Sequence, residues 1–401
     1  MKLSARLIIA ALVIGSSPVA AWCQTAPADA AHVSGQIDEI IRRRFYDPQR
    51  LPAFEAVAST RGANLDWVAA ALAALGASHT GRYTPDQIDY YEVMDAYRTA
   101  GAGDRAREIF PPDGTITYAG IGLVPRRIEG KIFAAYVYDG SPADKAGVRT
   151  GDEILSVDGQ PFHEIGSFQT RIGQTVDIAV RRTAEAQPLT IAVPVIAIRP
   201  ADMLRDAIRD SVRIVERDGK RLGYLRIWTY AVPGVRRLLA ELLTTAPLKD
   251  ADGLVLDMRG RWGGAPADAA EMFIGRSLPM ELVGRDGNVV TANMRWQKPM
   301  VGLIDAGARS GMEILASGLK KAGIPLVGAQ TAGAVLAGRG FVLGDNSLLI
   351  VAVMDVRVDG GRLEGSGVVP DIAVAFDRRY ADGADPQRER AIGLLAERLR
   401  H

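Results

Sequence analysis

Residues 299–314 read PMVGLIDAGARSGMEI, an apolar run followed by a short turn and then by a helical pattern. Residues 299–304 have the composition of a buried strand, and residues 310–322 have the periodicity of an amphipathic helix. A second apolar run, 253–258, ends in the same way at a glycine-rich turn, GRWGG at 260–264. Strands that alternate with helices predict an α/β core built around a largely parallel sheet.

The same alternation extends over residues 205–376. Its other predicted strands are 222–227, 324–328 and 348–354, its other predicted helices are 235–243 and 265–274, and a charged helix is predicted over 386–400.

Two further modules precede this core. Residues 33–100 carry apolar side chains at helix spacing, such as Ile37 and Ile41, and predict a helical N-terminal module. Short β-rich runs separated by Gly, Asp and Pro follow over residues 117–195. The expected division is a leader at 1–24, then a helical module at 33–110, a β-rich domain at 115–198, the core at 205–380 and a terminal helix at 381–401.

Composition excludes several classes of function. The 401 residues contain 48 Lys+Arg and 47 Asp+Glu, so no basic field is available for nucleic acid. One cysteine and four histidines argue against a disulfide scaffold, a cysteine-rich zinc site and an iron–sulfur cluster. We therefore expect no metal, no organic cofactor and no nucleic-acid partner.

The first 24 residues are predicted to be a targeting segment rather than part of the fold. Lys2 and Arg6 precede an apolar stretch at 7–15 and small residues at 16–21, the pattern of a secretory signal peptide. An uncleaved N-terminal anchor is the alternative. No other apolar run reaches membrane length, so we expect a periplasmic or secreted chain with no integral membrane segment after cleavage.

The β-rich module resembles a PDZ domain. The resemblance is carried by YAGIGL at 118–123, GSPA at 140–143 and GDEILSVDG at 151–159. In the second of these, Ser141 and Pro142 are predicted to cap and open a helix. A PDZ domain binds an extended peptide at a strand edge. The resemblance implies a peptide-binding loop at Gly120, Ile121, Gly122 and Leu123.

Two turns in the core could carry chemistry. Ser310, at a strand-to-helix turn, is well placed as a nucleophile, but it is equally a helix N-cap with Glu313 completing a capping box. The turn at 260–264 could offer backbone amides to an oxyanion, or could simply be a tight turn. Asp257 and Arg259 are predicted to form a structural pair that supports it.

Together with GSGVVPDI at 365–372, these turns resemble the C-terminal-processing (tail-specific) serine protease family, over about residues 35–376. The resemblance implies a multi-domain α/β protein with a crotonase-like or ClpP-like core. It also implies that Ser310 is the nucleophile, with oxyanion-hole amides from Gly263 or Gly264 and from Gly311.

One position departs from the family. Its bacterial members use a lysine base, but Ala334 stands at that place in GAQTAGAV, 328–335. The segment LGASHT at 75–80 instead resembles the Ser-His element of the tricorn-type branch. This resemblance implies His79 as base, with Ser78 and Glu364 tuning it, and requires the N-terminal module to fold back over the core. A structural histidine and a solvated acid remain the alternatives.

The prediction is an exported serine endopeptidase that hydrolyses unstructured or C-terminal peptide segments captured by its PDZ domain. Two alternatives remain: a catalytically inactive peptide-binding homologue, and a hydrolase of small exported esters or amides. The charged C-terminal helix is a candidate homo-oligomer interface.

Overall fold

A computed structural model describes residues 29–275, 280–292 and 295–400. The predicted signal peptide lies outside the described residues. The chain is a multi-domain α/β protein: a helical N-terminal module, a β-rich domain and an α/β core closed by a C-terminal helix, which confirms the predicted fold class. Within the described ranges, no helix combines the length and the apolar character needed to cross a lipid bilayer.

The N-terminal module is helical because apolar side chains recur on one face of each helix. Ile37 and Ile41, one turn apart, are both fully buried. Its elements are α1 (Ala30–Arg44), α2 (Leu51–Ala58), α3 (Trp67–Ala74), β1 (Gly81–Tyr83), α4 (Ile88–Ala96) and α5 (Ala106–Ile109), with 3-10 turns at Pro48–Arg50 and Arg98–Ala100.

The β-rich domain contains one five-stranded antiparallel sheet, in the order β3-β4-β5-β6-β7, and a separate pair, β2 with β8. Its elements are β2 (Tyr118–Gly120), β3 (Leu123–Ile128), β4 (Lys131–Val137), α6 (Pro142–Ala146), β5 (Glu153–Val157), β6 (Thr175–Arg181), β7 (Leu189–Pro194) and β8 (Ile196–Ile198). The predicted cap is confirmed, because the Ser141 hydroxyl accepts a hydrogen bond from the Asp144 amide at 3.2 Å.

The core and the C-terminal helix follow. Their elements are α7 (Pro200–Asp210), β9 (Arg213–Arg217), β10 (Lys220–Arg226), α8 (Val235–Thr244), β11 (Gly253–Asp257), α9 (Glu271–Ile274), β12 (Met280–Val283), β13 (Val289–Ala292), β14 (Met300–Ile304), α10 (Gly311–Lys321), β15 (Leu326–Gly328), β16 (Leu336–Val342), β17 (Leu348–Asp355), β18 (Arg357–Val358), β19 (Gly361–Arg362), β20 (Ile372–Ala373) and α11 (Pro386–Arg398), with a 3-10 turn at Leu248–Asp250.

The central sheet has the strand order β20-β15-β14-β11-β10-β9. All of its pairings are parallel except the one between β9 and β10. The predicted largely parallel sheet is therefore confirmed. Because β11 and β14 are parallel neighbours, the turns that follow them emerge side by side at one edge of the sheet.

Two details of the core differ from the prediction. Only Glu271–Ile274 of the expected 265–274 helix is helical, because Ala265 runs in backbone contact with Gly311 and the chain turns only after it. The strand expected at 348–354 forms, but as β17 it belongs to a separate three-stranded antiparallel sheet, β1-β17-β16.

This small sheet joins the N-terminal module to the core. In the β1–β17 pairing, Gly81 lies opposite Ile350 and Tyr83 lies opposite Leu348. Helices α1 to α3 then bury their apolar faces against β16 and β17, for example at Leu336 and Val351. The fold-back that the sequence analysis required is confirmed, and its cause is strand pairing reinforced by apolar burial.

The C-terminal helix is fastened by a buried arginine. Arg259 donates to Asp257 at 2.7 Å, as the sequence predicts, and also to Asp385 at 2.8 Å and to Gln387 at 2.9 Å. Asp385 additionally caps α11 by accepting the Arg388 amide at 2.9 Å. The loop after β11 is thereby tied to the end of the chain.

Replacing Asp385 by Ala should lower the free energy of unfolding by about 2 kcal/mol, since it removes a helix cap and one partner of a buried guanidinium. Urea unfolding followed by circular dichroism measures the change. The matched control is Glu389→Gln, an exposed acid in the first turn of the same helix, which should change stability by less than about 0.5 kcal/mol. Equal midpoints for the two variants would contradict the fastening role of Arg259.

Candidate active site

Two turns meet at the carboxyl edge of the central sheet: the glycine turn, residues 260–264, and the serine turn, residues 305–310. A Cβ atom placed on Gly263 would lie 2.6 Å from the Ser310 Cβ, and one on Gly311 would lie 2.3 Å from the Ala265 nitrogen. Only glycine permits such backbone approach, so the glycines hold the two turns in direct contact.

Ser310 has a strained backbone, with φ 53° and ψ −129°. A non-glycine residue at positive φ stores on the order of 1–3 kcal/mol, and such strain clusters at functional sites. Ser310 occupies the N-cap position of α10, and its amide donates to the Ala334 carbonyl at 2.8 Å and faces the Glu313 carboxylate at 3.2 Å. The cap position expected from the sequence is therefore present, and it leaves the nucleophile reading open.

Of the three glycines predicted for an oxyanion hole, Gly263 and Gly311 border Ser310, and Gly264 packs against Ala231. Within the described part of the chain, no group accepts a hydrogen bond from the amides of Gly263, Gly264 or Gly311. The first amides of a helix lack intrahelical acceptors, which accounts for Gly311. These donors can therefore serve an anionic oxygen that forms beside Ser310.

Glu313 has a larger role than the sequence suggested. Its fully buried carboxylate accepts from the Thr331 hydroxyl at 2.5 Å and from the amides of Gly333 and Ala334, each at 2.7 Å. Burial raises the pKa of this carboxyl, while the donors oppose the rise. The loop before β16 is thereby held against the serine turn. The sequence signal was available, since an acid one turn into α10 faces back toward its N-terminus.

The neighbouring residues Ser78 and His79 lie beside Glu364, although Ser78 and Glu364 are 286 positions apart in the chain. The Ser78 hydroxyl is 2.9 Å from His79 Nδ1 and 2.8 Å from Glu364 Oε2, and its amide donates to Glu364 Oε1 at 2.9 Å. Glu364 also accepts the Val335 amide at 2.7 Å. This contact pattern does not fit a solvated acid at position 364.

The contacts from Glu364 through Ser78 to His79 form a relay, and its hydrogen bonds determine which atoms carry the protons. Glu364, as a carboxylate, only accepts, so the single Ser78 hydroxyl proton points toward it. The Ser78 oxygen must then accept from His79 Nδ1, which places the imidazole proton there. His79 Nε2 is left with a free lone pair, the state that a general base requires.

The pKa of His79 is lowered to about 4, first by burial, then by the positive charge of Arg309, while Glu364 opposes the shift. The imidazole is therefore neutral at pH 7. Arg309, whose charge contributes to this shift, immediately precedes Ser310 in the chain. His79, like Ser310, adopts a positive φ of 53°.

Ser310 and the relay of Glu364, Ser78 and His79 are also connected through two consecutive residues. Ala334, at the position of the family lysine, is buried and accepts the Ser310 amide, while the next residue, Val335, donates to Glu364. Lys320 and Lys321 lie at the far end of α10 and bind Val369 and Asp359. Of the remaining histidines, His163 lies exposed in the β-rich domain, and His401 is outside the described residues.

The predicted peptide-binding loop lies in the β-rich domain, apart from Ser310. Its residues are buried, Gly120 pairs with Ile196 across β2 and β8, and the Ile121 carbonyl accepts the Ala143 amide at 2.9 Å. Helix α4 lies beside the same domain, where its Ile88 amide donates to Glu164 at 2.9 Å. Peptide binding at this loop stays a prediction.

A buried charged cluster at the junction of the three modules was missed from the sequence. Glu92 of α4 accepts from Tyr138 at 2.6 Å, from Arg261 at 2.9 Å and from the Trp262 indole at 2.7 Å. Asp89 binds the same arginine at 2.5 Å. The acids of α4 recur every three residues, at positions 89, 92 and 95, and this spacing was the available signal. The glycine turn is thus held from outside the core.

No metal centre emerges from the side chains that can be placed: in residues 29–275, 280–292 and 295–400, no three or more His, Cys, Asp or Glu side chains are grouped to hold a metal ion. The buried acids near the site are engaged by arginines, amides and hydroxyls, as described above.

Comparisons with known proteins agree with this architecture. Residues 221–374 match the model of peptidase family S41, and residues 133–182 match the model of the PDZ domain. The first range covers the strands of the central sheet other than β9, the serine turn and Glu364.

Curated relatives point to the same group. The chain is 26% identical over 283 residues to the carboxy-terminal processing protease CtpB of Bacillus subtilis (strain 168), covering 67% of this chain and 57% of the relative. It is 28% identical over 279 residues to the carboxyl-terminal-processing protease of Synechocystis sp., covering 64% and 63%. The chain thus spans about three fifths of the length of these relatives.

Solved structures share the fold at lower identity. The photosystem II D1 C-terminal processing protease matches with a TM-score of 0.50 and 19% identity, covering 90% of this chain and 98% of that one. The tricorn protease matches with a TM-score of 0.51 and 16% identity, covering 93% and 37%. The chain therefore has the fold of the C-terminal processing proteases, with one region similar to the PDZ domain and another similar to peptidase family S41.

Proposed function

We propose that this chain is an exported serine peptidase that hydrolyses peptide bonds in unstructured or carboxyl-terminal segments, through an acyl-enzyme on Ser310. The observation that carries the proposal is the hydrogen-bonded relay from Glu364 through Ser78 to His79. Glu364 accepts the amide of Val335, and the preceding residue, Ala334, accepts the Ser310 amide. The relay supplies a base where the family lysine is absent.

In the proposed reaction, the Ser310 oxygen attacks the peptide carbonyl carbon, and the serine proton passes to His79 Nε2. The tetrahedral oxyanion is held by the free amides of the glycine turn and of Gly311. The C–N bond then breaks, and His79 returns the proton to the leaving amine. Water adds to the acyl carbon, giving one proton to His79, and the C–O bond to Ser310 breaks as that proton returns to the serine.

Ser78 and Glu364 act on the base rather than on the substrate. The hydroxyl holds the imidazole in the Nδ1–H tautomer, and the carboxylate stabilises the imidazolium that forms during acylation. The proposed substrate class rests on the PDZ domain, which fits an extended peptide, and on the names of the relatives. Export rests on the predicted signal peptide.

Catalysis should depend on the relay in a graded way. Hydrolysis of reduced, unfolded casein should be abolished in Ser310→Ala and reduced by about 10²–10⁴-fold in His79→Ala. Ser78→Ala should cost about tenfold, because a solvent molecule can replace the hydroxyl only in part. Product formation is followed by mass spectrometry, with circular dichroism on each variant.

The matched control is His163→Ala, which removes an exposed histidine of the β-rich domain and should leave the rate unchanged. Activity that survives in Ser310→Ala would refute the nucleophile. A folded parent that hydrolyses neither peptides nor small esters and amides would indicate an inactive peptide-binding homologue. Hydrolysis of small esters alone would favour the other alternative.

The acid limb of the rate should report the lowered pKa of His79. Because the base works only when neutral, acylation by a fluorophosphonate should stay constant from pH 8 to about 5.5 and fall to half near pH 4. Arg309→Gln removes a charge that lowers this pKa, so its half-point should move upward, toward 6.5. A parent half-point already near 6.5, in protein that circular dichroism finds folded, would contradict the buried neutral base.

A further inference from the structure

A cavity of about 190 Å³ lies beside the serine turn. It is bounded by the glycine turn, by the serine turn and by strand β3 of the β-rich domain. Three guanidinium groups contribute to its lining, and no described Asp or Glu does; these arginines are Arg126, Arg261 and Arg309. The cavity is therefore lined by positive charge and lies beside the serine turn, which ends at Ser310.

The three arginines differ in how far their charge is compensated. Arg261 is buried and is neutralised by Asp89 and Glu92, as described above. Arg126 is 42% exposed and makes one longer contact with Asp89, at 3.2 Å. The Arg309 guanidinium makes no ion pair or hydrogen bond with any group of the described residues, although the Arg309 carbonyl accepts the Met312 amide at 3.1 Å. Its charge is left for a group from outside the fold.

The surroundings of Arg309 reduce the screening of that charge. Arg309 is half-buried, and the same cavity is lined by the aromatic rings of Tyr136 and Trp262. Trp262 is packed edge-on against Tyr83, with ring centroids 6.4 Å apart. A half-buried cation in a cavity with aromatic lining is less well solvated than an exposed one, so an anionic partner gains more from binding there than at an open surface.

We propose that Arg309, assisted by Arg126, forms a subsite that binds a carboxylate of the substrate within a few residues of the bond that is cut. A guanidinium presents parallel N–H donors that match a carboxylate, which makes this the favoured ligand class. The carboxylate comes either from the free end of the peptide or from an acidic side chain. The subsite deepens the proposed peptidase function and depends on it.

The test uses peptides synthesised around a bond that the parent cuts in reduced casein, with a free or amidated end and an acidic or neutral flanking residue. We expect the parent to show at least a tenfold higher kcat/KM, about the value of a charged hydrogen bond, for a carboxylate-bearing peptide. Arg309→Gln should abolish this preference, so that the variant cuts the carboxylate-bearing and the neutral peptide with equal kcat/KM. Arg309→Lys should keep part of it.

Assays run at pH 8, where His79 is neutral with or without Arg309, so a changed base cannot imitate the effect. Arg237→Gln, at an exposed arginine of α8, is the matched control and should keep the full preference. The peptide pair that carries the preference identifies the source: the free and amidated ends indicate the terminus, and the acidic and neutral residues indicate a side chain.

A second measurement does not depend on a variant that folds: N-acetylated amino-acid carboxylates should inhibit cleavage of the neutral peptide by the parent, and their amides should not. Equal cleavage of all four peptides by the parent would overturn the subsite and leave the peptidase function standing. An Arg309→Gln variant that slows all peptides equally would assign Arg309 a structural role. A parent that cuts no peptide and does not react with a fluorophosphonate would refute both proposals.

Discussion

The site depends on residues 333–335, whose three consecutive amides donate to two carboxylates. The first two donate to Glu313 and the third to Glu364, each at 2.7 Å. Between them, the carbonyl of residue 334 accepts the Ser310 amide. This short segment therefore sets the position of the serine turn on one side and of the His79 relay on the other.

Three modules contribute to this arrangement, and strand pairing brings them together. Pairing of β1 with β17 delivers Ser78 and His79 to the core. On the opposite side, Glu92 of α4 holds Arg261 and Trp262, and through them the glycine turn that faces Ser310. The core supplies Ser310 and the glycine amides, but the proposed base, His79, and part of the support for the glycine turn come from the N-terminal module. We infer that the modules must assemble before the site exists.

Much of the core was predictable because strand and helix periodicity is local, and the motifs around Ser310 and residues 365–372 are specific. The proximity of Ser78, His79 and Glu364 was predictable only through the resemblance to the tricorn-type branch, since no local pattern reveals a pairing between β1 and β17. The sequence did not show that β17 belongs to a second sheet, because an apolar strand has the same pattern in either sheet. The Arg309 guanidinium has no partner among the described residues. This depends on which side chains the rest of the fold brings near it, and sequence spacing cannot show that.

The proposed mechanism requires that Ser310 is a nucleophile made reactive by His79. The most direct measurement is the reaction of the purified mature chain with a fluorophosphonate, followed by proteolysis and tandem mass spectrometry to locate the adduct. We predict one adduct per chain, on Ser310, formed much more slowly in His79→Ala. An adduct on any other residue, or a rate that does not change when His79 is replaced, would contradict it.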